Sequence, residues 1–246
     1  MDDLKKIVRS TPYAPSSAAN AYKAVDDYVQ SNMTIGLGTG TTVFYVLERI
    51  EKLIKNGKIK DVVCIPTSTD TEAKARNLGI PLTTLRKNSQ IDIAIDGADE
   101  IDLNLNLVKG RGGALVREKL VAASASFFII IVDESKLCIN GLGTTGAVPI
   151  EILAFGYEKI IQNLLNISSL AKCKYKLREK NGEVYVTDNK NYIVDFFFSD
   201  PIENLPETCR KIKMTTGVID HGIFVDMTSV ALISKQDGTV LKLNKK

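Results

Sequence analysis

Glu118 is the carboxylate whose position most needs a chemical explanation. It lies within a helical pattern, residues 114–122, and its neighbours one turn away are apolar. Those neighbours are Ala114, Leu115, Val121 and Ala122. A carboxylate in an apolar stripe tends to have a raised pKa, which suits a general base. A structural ion pair beneath a sheet would use the same spacing, so both interpretations stay open.

A glycine-rich segment, Gly36–Thr42, lies between a predicted strand and a predicted helix. Glycines there let backbone amides turn toward an anion, and the helix dipole adds partial positive charge. A phosphate would fit. The segment lacks the Gly-Lys-Ser/Thr of a Walker loop, and Thr41 stands where a dinucleotide fingerprint has its third glycine. The alternative is a tight turn with threonine capping and no ligand.

An acidic segment, Asp96–Asp102, directly follows another predicted strand. Open α/β sheets bind ligands at the carboxyl edge of their strands, so this segment is a candidate active-site loop. A metal site is a rival interpretation, although the spacing does not match a calcium loop and no histidine is near. The third interpretation is a polar turn that binds no ligand.

Lys109–Gly113 places a cation and flexible backbone just before the helix that carries Glu118. The lysine can stabilise negative charge on a substrate oxygen, and a solvated loop would have the same sequence pattern.

A second glycine segment, Gly141–Gly146, satisfies GxGxxG. We reject it as a dinucleotide site because Pro149 follows where a helix should open, and we expect an interdomain connection.

Composition excludes several classes of protein. The 246 residues are 44% hydrophobic and 25% charged, as in a folded globular protein. A net charge of +3 is too small for a dedicated nucleic-acid binder. The longest apolar run, residues 127–132, is far below the roughly 20 residues that a membrane helix requires. Residues 1–6 do not form a secretory apolar run, so we expect a cytoplasmic protein that binds neither membrane nor nucleic acid.

The periodicity predicts an α/β fold with a mostly parallel sheet covered by helices. Strands are expected near residues 34–37, 62–65, 91–95 and 127–132, with a helix capped at Thr69 by a Thr-x-x-Glu box. After about Thr144 the pattern changes to a smaller α+β domain of split β-α-β-β-α-β type, with a helix at 151–166. We expect a catalytic domain of residues 1–144 and 223–246, and a small domain of residues 145–222 with an oligomerisation role.

Three features refine the small domain. Lys172, Lys174, Lys176 and Arg178 alternate with apolar residues, which indicates a solvated strand face. Asn181-Gly182 is typical of a hairpin turn. The strands expected at 222–226, 230–234 and 239–243 would return to the larger sheet.

Four segments resemble, in order and spacing, the ribose-5-phosphate isomerase A family. They are GLGTGTT from Gly36, DGADEID from Asp96, KGRGGALVREK from Lys109 and VDESK from Val132. Later segments, AVPIE, YVTDNKNYIVD and GIFVDM, are similar to that family's small domain and return strands. The resemblance therefore covers nearly the whole chain.

The resemblance implies a cofactor-free and metal-free aldose–ketose isomerase. It would interconvert D-ribose 5-phosphate and D-ribulose 5-phosphate through an enediolate, in the non-oxidative pentose phosphate pathway. Glu118 would carry the proton between C1 and C2, Asp96 would assist ring opening, and Lys109 would stabilise the oxyanion. The phosphate would lie on Thr39, Gly40, Thr41 and Thr42. The sugar would contact Asp96, Gly97, Ala98, Asp99, Lys109, Gly110, Arg111, Gly112 and Lys136.

Two positions depart from the family pattern, and two rival functions remain. The family commonly has serine at Thr41 and glycine at Arg111, whose side chain could contact substrate, solvent or another subunit. The resemblance also implies a homodimer or a pair of dimers. A non-catalytic sugar-phosphate sensor would keep the phosphate loop without needing Glu118. A deaminase or lactonase would require other catalytic groups.

Overall fold

The computed structural model describes residues 6–8 and 16–245, with side chains from residue 18 onward. The expectation about a secretory segment falls largely on residues 1–5, which lie outside the described residues. The chain forms two compact units. The first unit comprises the described residues of Met1–Ala98 and Asp226–Lys246 together with Arg117–Leu137. The second unit comprises Asp99–Val116 and Cys138–Val225.

This division differs from the expected domains at three places. The expected catalytic domain includes residues 99–116 and 138–144, and both segments lie in the second unit. The same holds for residues 223–225. Residues 99–102 of the acidic segment and the Lys109–Gly113 segment belong to the second unit, which periodicity along the chain cannot reveal.

The described residues contain sixteen strands and six α-helices. In chain order the strands are β1 (Lys6–Val8), β2 (Thr34–Leu37), β3 (Val63–Pro66), β4 (Ile91–Asp96), β5 (Glu100–Ile101), β6 (Leu107–Val108), β7 (Ala125–Asp133), β8 (Val148–Ile152), β9 (Lys174–Leu177), β10 (Glu179–Lys180), β11 (Glu183–Val184), β12 (Tyr192–Phe197), β13 (Val218–His221), β14 (Ile223–Phe224), β15 (Val230–Ser234) and β16 (Val240–Asn244). The helices are α1 (Ser16–Tyr28), α2 (Thr41–Lys55), α3 (Thr69–Asn77), α4 (Leu115–Ala123), α5 (Tyr157–Leu165) and α6 (Leu205–Lys213).

The first unit is built on a seven-stranded sheet in the order β1-β16-β15-β7-β4-β2-β3. The five strands from β15 to β3 run parallel, and β16 and β1 complete the sheet in antiparallel pairing. Helices cover the sheet because its residues are apolar on both faces. The predicted α/β class is confirmed.

Two helices show how the sequence builds this layer. Helix α2 buries five apolar residues at helical spacing: Val43, Val46, Leu47, Ile50 and Leu53. Each buried aliphatic side chain contributes roughly 1.5–3 kcal/mol. Helix α1 is attached by buried Asn20, whose amide donates to the carbonyls of Val132 (2.7 Å) and Leu232 (3.3 Å). These contacts position the carboxyl edge of the sheet.

The N-cap of helix α3 is one residue earlier than predicted. The Ser68 hydroxyl accepts a hydrogen bond from the amide of Thr71 at 3.1 Å, so the capping box expected at Thr69 is wrong in register. Both residues can cap a helix, and only the extended backbone at Ser68 decides between them.

The second unit contains the predicted split β-α-β-β-α-β arrangement. Its four-stranded antiparallel sheet has the order β13-β8-β12-β9, with α5 and α6 as the helices. A separate sheet has the order β14-β6-β5. The β10-β11 hairpin turns at Asn181 and Gly182, both at positive φ (56° and 84°), which confirms the predicted turn.

Two predicted elements of the second unit are wrong. The helix expected at 151–166 begins only at Tyr157, because Val148–Ile152 is a fully buried strand. A short apolar run of this kind fits a strand or a helix equally well by periodicity. The strand expected at 222–226 pairs with β6 in the small three-stranded sheet, whereas β15 and β16 join the large sheet as predicted.

No helix in the described ranges, 16–245, is long and apolar enough to cross a membrane.

Candidate functional site

The glycine-rich segment Gly36–Thr42, called the phosphate loop here after its expected ligand, runs from the end of β2 to the start of α2. Gly38 donates its amide to the carbonyl of Ile95 at 3.0 Å, and Gly40, at φ 125°, is the residue before the helix. Among the described side chains, none caps α2. The amides of its first turn, at Thr41 and Thr42, therefore suit an anion, and the 15-residue helix adds its dipole.

Thr39 is held from two sides within the first unit. Its hydroxyl lies 2.8 Å from the Thr67 hydroxyl and donates to Ser68 Oγ at 2.9 Å, while its amide donates to Asp96 Oδ1 at 3.1 Å. The Thr71 hydroxyl in turn donates to the carbonyl of Gly38 at 2.8 Å. Thr39 thus stabilises the loop, and the more exposed members are Gly40 and Thr41.

Asp96 connects the phosphate loop to the acidic segment. Its side chain is 2% exposed at the end of β4, and Oδ1 also accepts from the Gly97 amide at 2.7 Å. A Cβ at Gly38 would lie 2.0 Å from this oxygen, so only glycine fits there. Asp96 is consequently a buried carboxylate at the sheet's carboxyl edge, next to Gly97 and Ala98.

Glu118 is buried in α4, 5% exposed, as its place in the apolar stripe predicts. Val121, one turn further along, packs against Gly36 of β2, where a Cβ would lie 2.5 Å from Val121 Cγ1. The face of α4 that carries Glu118 therefore packs on strand β2, which leads into the glycine-rich loop.

Lys136 lies at the same edge of the first unit. Strand β7 ends at Asp133, whose carboxylate accepts from the Ser135 amide at 2.9 Å and begins a 3₁₀ turn, Glu134–Lys136. Strands β2, β4 and β7 are parallel, so their carboxyl ends share one edge. The structure thereby brings together Thr39–Thr42, Asp96–Ala98 and Lys136.

The second unit carries Asp99 and the Lys109–Gly113 segment. Asp99 Oδ2 accepts from the Arg111 amide at 2.9 Å. Lys109 is 3% exposed, donates its amide to the carbonyl of Gly222 at 2.7 Å, and places its ammonium 5.7 Å from the centre of the Phe224 ring. Gly110, at φ 97°, takes a backbone conformation that other residues rarely adopt. The lone histidine, His221, is buried in β13.

The Arg111 side chain is engaged inside the second unit. Its Nη2 lies 2.6 Å from Glu100 Oε1 and 3.2 Å from the Thr145 hydroxyl, and Nε donates to the Ala147 carbonyl at 3.1 Å. Glu100 is fully buried and also accepts from the amides of Gly143 (2.5 Å) and Thr145 (3.0 Å). The GxGxxG segment thus binds a carboxylate of its own unit and lies within that unit, and a strand follows it where a dinucleotide site would have a helix.

The chain is similar to known proteins over most of its length. The family model described as ribose 5-phosphate isomerase A (phosphoriboisomerase A) matches residues 63–238. The chain is 75% identical over 246 residues to ribose-5-phosphate isomerase of Plasmodium falciparum (isolate 3D7), covering 100% of this chain and 99% of the relative. This chain belongs to the ribose 5-phosphate isomerase A family.

Another relative and two solved structures of the family also match most of the chain. Ribose-5-phosphate isomerase A of Desulfatibacillum aliphaticivorans is 42% identical over 219 residues, 89% of this chain and 92% of the relative. The solved ribose 5-phosphate isomerase from Plasmodium falciparum has a TM-score of 0.92 at 77% identity, covering 94% of this chain and 98% of that one. A D-ribose-5-phosphate isomerase solved in complex with phospho-erythronic acid has a TM-score of 0.86 at 36% identity, covering 93% and 97%.

Sequence reasoning missed residues that hold the isomerase family's loops in this chain. Thr67 and Ser68 follow strand β3 and bind Thr39. Their position directly after a strand that was expected to be parallel could have indicated this contact. The interpretation of Arg178 as part of a solvated face is wrong, because its side chain is 13% exposed and paired with Asp195. No signal in the sequence announced that pair, because it joins separate strands.

Proposed function

We infer that this protein is a ribose-5-phosphate isomerase, an aldose–ketose isomerase that interconverts D-ribose 5-phosphate and D-ribulose 5-phosphate in pentose phosphate metabolism. The observation that carries this conclusion is the 75% identity over all 246 residues to an enzyme of that name. The four candidate site segments all lie within the 246 residues aligned to that enzyme.

The reaction moves one proton from C2 to C1 and one between the oxygens on these carbons, and it leaves the phosphate untouched. A base takes the proton from C2 of the open-chain aldose, and the C1 carbonyl oxygen becomes an enediolate oxygen. That oxygen takes up a proton as the C2 hydroxyl gives one up to form the new carbonyl, and return of the first proton to C1 gives the ketose. Such chemistry needs a positioned base and a donor for the developing oxyanion. Holding the phosphate orients both carbons.

Glu118 is the residue we propose as the base. Glu118 is 5% exposed and lies on the face of α4 that packs against β2. Partial desolvation makes a carboxylate a stronger base than it is in water. If Glu118 served only in a structural ion pair, the folded variant Glu118→Gln would keep its turnover. A general base would lose turnover in the same variant, so this substitution separates the two interpretations.

The phosphate is proposed to bind on Thr39, Gly40, Thr41 and Thr42. The start of helix α2, with no capping side chain among the described residues, supports this proposal, as does the dipole of a four-turn helix. Thr41 keeps the hydroxyl of the serine that the family commonly has, and it can donate to a phosphate oxygen.

The sugar is proposed to contact Asp96, Gly97, Ala98, Asp99, Lys109, Gly110, Arg111, Gly112 and Lys136. Asp96 would accept a hydroxyl proton during ring opening, and Lys109 would stabilise the enediolate oxygen. The Arg111 guanidinium is already bound to Glu100, which favours a contribution from its main chain. No metal or organic cofactor is required for these steps.

A non-catalytic sugar-phosphate sensor is the alternative from another class. It would need the phosphate loop and would tolerate loss of Glu118. The test is formation of ribulose 5-phosphate from ribose 5-phosphate, with EDTA present, in ordinary water and in D₂O. We expect turnover unaffected by EDTA, with deuterium entering C1 of the product. Binding of ribose 5-phosphate without turnover would contradict the isomerase and support the sensor.

We further propose a cytoplasmic protein that assembles as a homodimer or a pair of dimers through the second unit. Several large apolar side chains of that unit are exposed: Ile139, Phe155 and Met214, at 71%, 92% and 71%. Exposed apolar groups of this size often mark protein interfaces. No nucleic-acid partner is proposed for a chain of net charge +3.

A further inference from the structure

Arg178 binds the main chain of the Lys109–Gly113 segment through one nitrogen. Its Nη1 donates to the carbonyl of Gly110 at 2.9 Å and to the carbonyl of Arg111 at 3.1 Å. Both carbonyls lie immediately after Lys109 in the chain. Arg178 itself follows β9 in the four-stranded sheet of the second unit, so the contact joins that sheet to the segment.

The other two nitrogens of the guanidinium are fixed by a carboxylate. Nε donates to Asp195 Oδ2 at 2.8 Å and Nη2 to Oδ1 at 2.5 Å, in a bidentate pair. Both side chains are 13% exposed, so solvent competes weakly for either. The Tyr185 ring lies 5.9 Å from the guanidinium carbon. Arg178 therefore presents Nη1 in one orientation.

The peptide unit between Gly110 and Arg111 is held at both ends. Its carbonyl oxygen accepts from Arg178, and its N–H donates to Asp99 Oδ2 at 2.9 Å. A peptide unit is planar, so two opposed contacts determine its orientation. The same segment forms a turn in which the Gly113 amide donates to the Gly110 carbonyl at 3.0 Å, with both glycines at positive φ.

The next peptide unit, between Arg111 and Gly112, is held at its oxygen by Arg178. In a trans peptide the N–H points opposite to the carbonyl, so this bond directs the Gly112 N–H away from Arg178. Gly112 is exposed. An N–H on an exposed residue, directed away from the guanidinium, suits a donor to a substrate oxygen.

We propose that Arg178 is a positioning residue for the isomerisation: by binding the carbonyls of Gly110 and Arg111 it fixes the main chain that carries Lys109 and aims the Gly112 N–H. This inference rests on the proposed function. Arg178 acts through Lys109 and Gly112 without touching the sugar. Because the group it positions is proposed to bind charge that develops in the transition state, its loss should lower kcat more than it raises KM.

The test is the steady-state kinetics of Arg178→Ala with and without added guanidinium chloride at non-denaturing concentration. We expect kcat to fall about 10- to 100-fold, the size of effect that a misplaced group produces, with a smaller change in KM. Guanidinium should restore part of kcat by occupying the space beside Asp195. The matched control is Arg49→Ala, which removes another paired arginine, bound to Asp26, and should keep native kcat with no response to guanidinium.

The outcomes separate this inference from the proposed function. If the native chain turns over and Arg178→Ala has the same kcat, the inference is overturned and the proposed function stands. The same conclusion follows if Arg178→Ala loses kcat and added guanidinium does not restore any of it. Absence of turnover by the native chain would overturn both. If Arg178→Ala does not fold, Arg178→Lys serves instead, because it keeps the charge beside Asp195 without the planar fork. Native kcat in that folded variant would likewise overturn the inference.

Discussion

At the scale of single residues, Glu118 and Asp96 are two buried carboxylates with different surroundings. Asp96 accepts amide hydrogen bonds from Thr39 and Gly97, so its geometry is set by the loops it connects. Glu118 lies on a helix face among apolar residues. The first environment favours a fixed acceptor, and the second favours a group that takes up and releases a proton.

Replacement of Glu118 by glutamine should lower kcat by about 10²- to 10⁴-fold, the usual contribution of a general base, while leaving binding of ribose 5-phosphate nearly intact. Kinetics and calorimetric titration would measure the two effects. The control is Glu183→Gln, which makes the same change at an exposed position in the β10-β11 hairpin. Near-native turnover in folded Glu118→Gln would refute the assignment.

Cys64 provides a second prediction at this scale. Burial in the core raises the pKa of its thiol to about 12, so almost none of it is thiolate at pH 8. We expect no reaction of Cys64 with Ellman's reagent in the native protein and rapid reaction after unfolding. Mass spectrometry of the labelled peptides identifies the site. Labelling of Cys64 in the folded chain would contradict its burial in the core.

At the scale of elements, parallel strands position the candidate residues of the first unit. Strands β2, β4 and β7 end at one edge, and the loops after β2 and β4 contact each other through Thr39, Asp96 and the Gly38 amide. Close approach of Gly38 to Asp96 makes the two loops one structure. Displacement of either loop should therefore also displace the other.

The substitution Gly38→Ala tests this coupling. Its Cβ would lie 2.0 Å from Asp96 Oδ1, so Asp96 must move and release the Thr39 and Gly97 amides. We expect a destabilisation of about 1–3 kcal/mol, typical of overpacking, and at least a tenfold loss of kcat/KM. Urea unfolding and kinetics measure both.

The matched control for that substitution is Gly57→Ala. Gly57 has φ 67°, and a Cβ at this position would have no atom within 4 Å, so alanine there adds only backbone strain. We expect a stability loss of about 1 kcal/mol and unchanged turnover. Equal losses of activity in the two variants would show that the effect at Gly38 is general destabilisation.

At the scale of the whole molecule, each of the two units has its own sheets and its own helices. The first unit contains the parallel sheet, the glycine-rich loop, Asp96 and Glu118, and the second contains Lys109, Arg111 and Arg178. The second unit also exposes the large apolar side chains named above. Their free energy of hydration is unfavourable, which favours covering them by association.

A solution mass measurement tests that association. The chain has a mass of 27.0 kDa, so light scattering should give two or four times this value. Phe155→Ser, at a side chain that is 92% exposed, should shift the mass toward the monomer if the assembly covers this residue. Phe44→Ser, at an exposed position on α2 of the first unit, is the control. A native chain of 27.0 kDa in solution would contradict the proposed assembly.

The sequence by itself determined the local elements and the candidate chemistry. The βα alternation, the glycine loop, the Asn181-Gly182 turn and the burial of Glu118 all followed from spacing, because helix and strand periods differ and glycine alone adopts certain backbone angles freely. Spacing does not determine the register of a cap or the type of a short element. Ser68 or Thr69 could each cap α3, and Val148–Ile152 fits a strand or a helix.

Only the tertiary structure decided which distant residues meet. Asp195 and Arg178 are 17 positions apart, Arg178 and Gly110 are 68 apart, and Glu100 and Thr145 are 45 apart. No period along the chain encodes such pairs, since they depend on strand order and on which loops the sheets bring together. The same pairings place residues 99–116 in the second unit, whereas periodicity along the chain predicts them in the first.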